Sequence, residues 1–414
     1  MHIALFILYS ALCGYGILKL PFFRRTGIRP GILLAFFAIH VGAGCLHNLI
    51  AWRYYPDHGD IWDSFREGIQ LRNWLQTDFQ QFLASNSRWT DFTHNGVKFI
   101  HLILNLLSMD NLYINTLLFA FPVFLGNTAL YFVFRRHFQA PLTPLVVFLL
   151  PSTLFWTACV FREGVLYMLL GFFFYQLDRV FSSPAPAAVS HNRQAAAART
   201  PAAIAAFCCF LLILYFRFTV GIVLAPALLV MRWVNKPSTK EILAAAGAAL
   251  TVLVIMLAVP PFPRWLLQGL RQWQAEFQIL EGHSRLYLPA MDGTWPGLFR
   301  IMPYALLNGW FQPLPGAGGR PIYLAFSIEL ILIWAVVALA LVRAATSPAT
   351  PALPAARRRD GFSAACILFA LLGMFGIGLI VPFAGAIVRY RSIYLPFLLL
   401  PALHSLRDWR RFRA

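Results

Sequence analysis

Residues 31–67 read GILLAFFAIHVGAGCLHNLI at positions 31–50, followed by AWRYYPDHGDIWDSFRE at positions 51–67. The first part is an uncharged, mainly apolar run, long enough to cross a bilayer core of about 30 Å as a helix. The second part contains four acids among several aromatic residues. Acids are costly in hydrocarbon, so this junction predicts a membrane-spanning helix that ends at an acidic, water-facing segment.

The composition of the whole chain agrees with that prediction. Of 414 residues, 59% are hydrophobic and only 12% are charged, whereas a soluble domain is roughly half apolar and a quarter charged. We therefore expect an integral membrane protein. The formal net charge of +18 does not indicate nucleic acid, because no basic stripe is interleaved with a soluble fold; Arg and Lys instead mark cytoplasmic loops.

A template of about 20 apolar residues per helix predicts about eleven spans. We therefore expect an all-α, polytopic transmembrane bundle, formed by a single integral membrane domain over residues 1–414. The first run lacks a basic segment and a cleavage site, so it is interpreted as a retained helix. The predicted spans are 1–20, 31–50, 112–134, 141–160, 164–181, 202–216, 219–233, 242–260, 321–343, 361–381 and 392–406.

The distribution of charge predicts the orientation. Loops rich in Arg and Lys alternate with loops that carry most of the acids. By the positive-inside rule, the N-terminus lies outside and the C-terminus in the cytoplasm of a bacterial-type inner membrane. Among the basic loops, 182–201 and 344–360 are rich in Ala and Pro and predict flexible linkers. The long outer loops 51–111 and 261–320 are expected to carry interfacial helices, near 64–83 and 97–108 in the first of them.

The acids of the first outer loop are candidate catalytic groups. Asp57, Asp60 and Asp63 recur every third residue, and on a helix Asp60 and Asp63 would share a face with Glu67 one turn further on. A carboxylate near apolar surface serves as a general base or holds a divalent metal such as Mg or Mn. The alternative is a solvated loop in which Asp63 caps a helix that starts at Ser64.

Arginines at the outer ends of later spans are candidate phosphate ligands. They lie in connections too short for ordinary solvent loops, and their planar forks match phosphate oxygens. The alternative is snorkelling to the interface or a local ion pair between Arg162 and Glu163. Glu329, inside a predicted span, is interpreted as a buried polar partner. The proposed phosphate-binding set is Arg162, Glu163, Arg217, Arg389 and Arg391.

Aromatic residues supply a third ingredient. Trp62 and Tyr55 stand next to the acids, where their rings could stack on a sugar. The alternative is that they mark the membrane interface, which Trp and Tyr favour in any membrane protein. The interface interpretation is favoured, because Trp and Tyr occur there whether or not a sugar binds.

Three segments carry a resemblance to a known family. They are GDIWDSF at 59–65, PSTLFWTACVFRE at 151–163 and VRYRSIYLP at 388–396. Together they resemble the GT-C superfamily of polyprenyl-dependent membrane glycosyltransferases and the related O-antigen polymerases and ligases. One departure is that the acidic loop follows the second predicted span, whereas that family places it after the first.

The resemblance implies an enzyme that moves a sugar from a polyprenyl-phosphate-linked donor to a glycan or lipid acceptor. It implies that Asp60, supported by Asp57 or Asp63, deprotonates the acceptor while the arginines hold the lipid phosphate. A repeat-unit polymerase remains open, because it also needs outer-face arginines. A non-enzymatic transporter or flippase of lipid-linked glycans is the third hypothesis, although such proteins often contain internal repeats and none is evident here.

Overall fold

A computed structural model describes residues 1–54, 59–85, 96–138, 140–181, 192–234, 261–282, 284–316, 321–346 and 354–411. Within these ranges the regular elements are helices. Arg285 and Phe383 form an isolated antiparallel β-bridge. The chain folds into two compact units. Unit 1 comprises 1–136 and 141–218, and unit 2 comprises 137–140 and 219–414.

Unit 1 contains both long apolar helices and shorter or more polar ones among its described residues. They are α1 (His2–Lys19), α2 (Pro21–Arg24), α3 (Pro30–Tyr54), α4 (Gly59–Thr77), α5 (Phe79–Ala84), α6 (Gly96–Ser108), α7 (Leu112–His137), α8 (Thr143–Leu149), α9 (Pro151–Thr157), α10 (Arg162–Phe181) and α11 (Asn192–Phe216).

Seven helices and one π-helical turn lie mainly in unit 2, within the part of the chain that the structure describes. They are α12 (Phe218–Val234), α13 (Pro261–Gln278), α14 (Trp295–Leu306), the π-turn (Leu307–Phe311), α15 (Pro321–Thr346), α16 (Pro354–Ile380), α17 (Ala384–Arg391) and α18 (Leu395–Arg411).

Several helices are suited to a membrane. Among the described residues, six are long and apolar enough to cross one, or seven if the bent pair α17–α18 forms one span. These six are α1, α3, α7, α10, α15 and residues 361–380 of α16. Shorter apolar helices occupy four more segments, of which three coincide with predicted spans and one is α6. These helices are consistent with a helical membrane protein. The predicted span 242–260 lies outside the described residues.

One of the predicted spans is broken, and another is preceded by a sharp bend. The expected helix 141–160 is divided at Leu150, which is extended (φ −58°, ψ 117°) and precedes Pro151. Proline removes a backbone donor and pushes the preceding residue out of the α region, so α8 ends where α9 begins. Near the C-terminus, the expected span 392–406 corresponds to α18, and the preceding helix α17 meets it at 61°.

The helices of the segment 51–111 differ partly from expectation. The helix predicted near 97–108 is confirmed as α6, but the one predicted near 64–83 is two helices, α4 and α5. Asp78 separates them, because its Oδ1 accepts a hydrogen bond from the Gln81 amide at 3.0 Å and so caps α5. The suggestion that Asp63 caps this helix is wrong, since α4 begins at Gly59 and Asp63 lies inside it.

The alanine-rich connections contain more helix than a flexible linker would. Helix α11 begins at Asn192, and α16 begins at Pro354. Alanine has the highest intrinsic helix propensity, so Ala-rich sequence extends a neighbouring helix readily. The remaining residues of these two connections, 182–191 and 347–353, lie outside the described part of the chain.

Small residues allow close packing in unit 1. At Gly171 of α10 an added Cβ would overlap the carbonyl of Gly126 in α7, so these two helices touch through their backbones. At Gly44 of α3 an added Cβ would lie 2.5 Å from the carbonyl oxygen of Ala158. These contacts hold α3, α7, α10 and the segment after α9 in one tight group.

Candidate functional site

Two neighbouring residues of α3 organise one end of unit 1. The His47 ring packs against Phe155, Trp156 and Phe161, with centroid distances of 4.8, 5.2 and 5.2 Å. The next residue, Asn48, donates from Nδ2 to Thr116 Oγ1 at 2.8 Å. Helix α3 thereby holds the segment that leads into α10.

The backbone of Asn48 also holds the acidic helix. Its carbonyl oxygen accepts a hydrogen bond from Trp62 Nε1 at 3.2 Å, and Trp62 lies in the first turns of α4. Asp60 is two residues before this anchor, and Glu163 is two residues after Phe161, which packs on His47. The acidic helix and the Arg162–Glu163 junction are therefore fixed to adjacent residues of one helix.

The central charged contact joins Glu163 and Arg217. The Glu163 side chain is fully buried, and its Oε1 accepts a hydrogen bond from Arg217 Nη1 at 3.3 Å. Arg217 lies between α11 and α12 and remains 19% exposed. A buried carboxylate of this kind restricts the position of the guanidinium, which stays close to the surface.

Arg162 lies in the same region. It is half-buried and close enough to Tyr215 to interact electrostatically with its hydroxyl group. The start of α6 is also near, since a Cβ on Gly96 would contact Phe216 at 3.0 Å. The structure therefore brings Arg162, Glu163 and Arg217 together at one end of unit 1. Glu163 thus has a hydrogen-bond partner, Arg217, that lies 54 positions away in the sequence.

The acids of α4 point largely to solvent. Asp60 is exposed in the first turn, Asp63 is paired with Arg66 at 3.2 Å, and Glu67 is paired with Lys98 at 2.8 Å. Asp57 and Tyr55, also predicted for the site, lie outside the described residues.

Asp57, Asp60 and Asp63 are also the suggested ligands of a divalent metal ion. Across the described ranges, no group of three or more His, Cys, Asp and Glu side chains converges to hold an ion. Asp57 lies outside the described residues, so the suggested Mg or Mn site at Asp57, Asp60 and Asp63 stays a prediction. We therefore derive no step through a metal.

Trp62 is mainly a packing residue in this structure. Its indole nitrogen is hydrogen-bonded to Asn48, and its ring lies 4.8 Å from Trp52 and 5.9 Å from Phe65. It is half-buried, so part of the ring stays accessible. A sugar-stacking role for it stays a prediction.

The other two predicted arginines belong to unit 2. Arg391 is buried, and its Nη1 donates to the carbonyl oxygens of Gly309 at 3.3 Å and Gln312 at 2.5 Å. Glu329, which is only half-buried, interacts electrostatically with it. Arg389 is half-buried, with its guanidinium 5.7 Å from the Tyr390 ring. Arg391 thus supports the π-turn, and its role with a phosphate stays a prediction.

The sequence analysis did not identify one buried cluster of polar side chains. His101 and Asn105 of α6 are fully buried against Asn115 of α7. Asn115 Nδ2 lies 2.6 Å from Asn105 Oδ1 and 3.3 Å from His101 Nδ1. The available signal was the spacing of His101, Asn105 and Ser108, which places them on one face of a helix.

Comparisons with protein-family models, curated proteins and solved structures found no significant match. Function is therefore inferred from the residues and their geometry.

Proposed function

We propose that this chain is a membrane glycosyltransferase of GT-C type. It moves a sugar from a polyprenyl-phosphate-linked donor to a glycan or lipid acceptor, in the assembly of cell-surface polysaccharide. In this proposal the chain crosses the cytoplasmic membrane about eleven times, starting outside and ending in the cytoplasm. The site then opens on the outer face, where the donor reaches it from the lipid.

The observation that carries the proposal is the Glu163–Arg217 contact with Arg162 beside it. A buried carboxylate orients one arginine, and a second arginine stands at the same end of unit 1. Arginine forks bind phosphate oxygens with two parallel hydrogen bonds, and they stay charged at a membrane boundary. This arrangement suits the phosphate of a lipid-linked donor.

The shared anchor on α3 supports a role for Asp60. Because Trp62 is bonded to Asn48 and Phe161 packs on His47, both charged segments are held by consecutive residues. A rigid support of this kind is what a base and a phosphate clamp need in order to act on one substrate.

The reaction then proceeds in one exchange of bonds. The acceptor hydroxyl oxygen attacks the anomeric carbon, and the bond between that carbon and the phosphate oxygen breaks. The electron pair goes to the phosphate, where Arg162 and Arg217 stabilise the added negative charge, and the hydroxyl proton goes to Asp60. Electrostatic stabilisation of the departing oxygen supplies the largest part of the rate.

Lipid-linked glycans provide the direct test. Cells that lack the protein should accumulate a donor or an unfinished glycan that mass spectrometry identifies, and wild-type protein should clear it. An Asp60→Asn variant should insert and fold normally but fail to clear it. Full clearance by that variant would remove Asp60 from the mechanism, and unchanged glycans in the deletion would argue against the whole proposal. Product length separates the two enzymes, because a polymerase yields a ladder and a transferase adds one sugar.

A transporter of lipid-linked glycans is the second candidate, and the broken helices favour it. Transporters often bind their cargo at discontinuous spans, and here α8 is separated from α9 while α17 and α18 meet at 61°. Vesicles containing the purified protein discriminate between the candidates. Movement of a labelled lipid-linked sugar across the bilayer without any covalent product would favour transport.

A further inference from the structure

The paired helices α4 and α6 expose opposite chemistry. They pack closely, because a Cβ on Gly68 of α4 would lie 2.5 Å from His101 Cβ in α6. The exposed face of α4 is polar except for Leu75, near its end. Its exposed polar residues are Asp60, Asp63, Arg66, Gln70, Asn73, Gln76 and Thr77.

Helix α6 has the reverse pattern. Ile103, Leu106 and Leu107 are each at least half exposed, at 59, 53 and 50%, while His101 and Asn105 are buried in the contact with Asn115. In a helix that faces water the apolar residues would point inward. The exposed side of α6 is therefore suited to hydrocarbon, and its polar side is covered by protein.

The exposed face of α6 continues a surface of a membrane-spanning candidate. Tyr9 of α1 donates from its hydroxyl group to the carbonyl oxygen of Leu107 at 3.0 Å. Helix α1 is long and apolar enough to cross a membrane and is little buried by the protein. Its exposed large apolar residues are Ile3, Ile7, Leu8, Leu12, Tyr15 and Leu18. The lipid-facing side of α1 thus leads directly to α6.

We infer that the edge of the bilayer hydrocarbon runs along the contact between α4 and α6. Helix α6 is immersed in the acyl chains of one leaflet, and α4 covers its polar side and faces water. Since packed helices lie about 8–10 Å apart, α4 is held within the headgroup layer. Asp60, at the start of α4, then stands at the depth of a lipid phosphate.

Helix length and end contacts agree with immersion parallel to the membrane. Thirteen residues give a helix of about 20 Å, too short to cross the core. Ion pairs to α4 lie at both ends of α6, Glu67–Lys98 at 2.8 Å and Arg72–Asp110 at 2.5 Å. A helix that descended into the membrane would carry one of these charged ends into hydrocarbon, which is costly.

The test compares introduced cysteines on the two helices. Leu106→Cys and Gln70→Cys variants are reconstituted into liposomes, and a membrane-impermeant maleimide is loaded on both sides by freezing and thawing. Labelling is read at each peptide by mass spectrometry, so the native cysteines do not interfere. Because the thiolate is the reactive form and charge is excluded from hydrocarbon, Leu106→Cys should react at least about tenfold more slowly. Dissolving the bilayer in SDS should remove the difference.

The outcomes are distinct. Equal rates in the bilayer would overturn the inference, because Leu106 would then face water. A disulfide-linked dimer of Leu106→Cys would also overturn it, by showing that a second copy of the chain covers this face. If Leu106→Cys fails to fold, the same comparison is made with Leu107→Cys or Ile103→Cys, which are similarly exposed.

Discussion

Glu163 and Arg217, separated by 54 positions, meet across helices with Oε1 and Nη1 3.3 Å apart, and the carboxylate is completely buried. The same helix carries a second carboxylate–arginine pair near its other end. There Asp178 Oδ2 accepts from Arg136 Nη1 at 2.7 Å, and the Arg136 side chain is 53% exposed. One helix therefore offers two pairs for direct comparison, one with a mostly buried arginine and one with an arginine that is half exposed.

Replacing Glu163 by Gln should destabilise the protein and abolish activity. The loss of the buried carboxylate leaves the Arg217 charge without this partner, which in other proteins costs about 3–5 kcal/mol. The free energy of unfolding, measured by SDS titration in mixed micelles, reports the first effect, and glycan clearance in cells reports the second.

Asp178→Asn is the matched control on the same helix. It should change the free energy of unfolding by less than about 1 kcal/mol, because its partner is screened by water. If Glu163→Gln and Asp178→Asn are equally stable and equally active, the burial of Glu163 contributes neither to the free energy of unfolding nor to activity.

Gly171→Ala should separate α7 from α10. The new methyl group would overlap the Gly126 carbonyl, and overpacking of this kind costs about 1–3 kcal/mol. Gly42→Ala in α3 is the control, since nothing lies within 4 Å of its added Cβ, and it should be neutral or slightly stabilising through helix propensity. Equal stability of the two variants in SDS titration would show that α7 and α10 are not in backbone contact.

Arg391→Met should affect stability before it affects substrate binding. The change leaves the carbonyls of Gly309 and Gln312 without their donor and removes a charge near Glu329. An unsatisfied buried acceptor costs about 1–3 kcal/mol, so the free energy of unfolding should fall. If the variant kept full stability but showed a raised KM for the lipid-linked donor, Arg391 would instead contact the phosphate.

The stability of unit 2 should depend on pH through Asp292. Hydrogen bonds from the Thr294 hydroxyl at 2.6 Å and amide at 2.9 Å hold the pKa of Asp292 below its ordinary value. This contribution is present above the unfolded-state pKa of about 4 and is lost as pH falls through the lower folded-state pKa. The unfolding midpoint of Asp292→Asn should therefore change less than that of wild type over this acidic range. Parallel curves would exclude the contribution.

Local sequence was sufficient for features that depend on neighbours in the chain. The apolar runs predicted α3, α7 and α10 within a few residues, and α6 was predicted to within one residue at its start. The break at Pro151 was missed although proline signals it, because a hydropathy window averages over the interruption. The further spans, beyond the six or seven candidates, stay predictions. The orientation of the chain in the membrane also stays a prediction.

Contacts between distant residues could not be read from the chain. The charge of Arg391 suggested a ligand, whereas its observed acceptors lie about 80 positions away in and just after a π-turn that no local pattern predicted. Similarly, the sequence offered Arg162 as a local partner of Glu163 but gave no signal for the hydrogen bond from Arg217, 54 positions away. Burial in the folded protein decides which of several nearby charges becomes a partner, and burial is a property of packing.

The side chain of Gln274 in α13 constrains the order of assembly during synthesis. Its amide donates to the carbonyls of Pro289 and Leu379 at 3.2 Å each and accepts from the Met291 amide at 2.6 Å. Leu379 emerges from the ribosome 105 residues after Gln274, so the full set of bonds forms only once α16 is in place. Until then the polypeptide between α13 and α14 is held without the hydrogen bond from Gln274 to Leu379. Truncated nascent chains that end before α16 should leave this stretch open to protease.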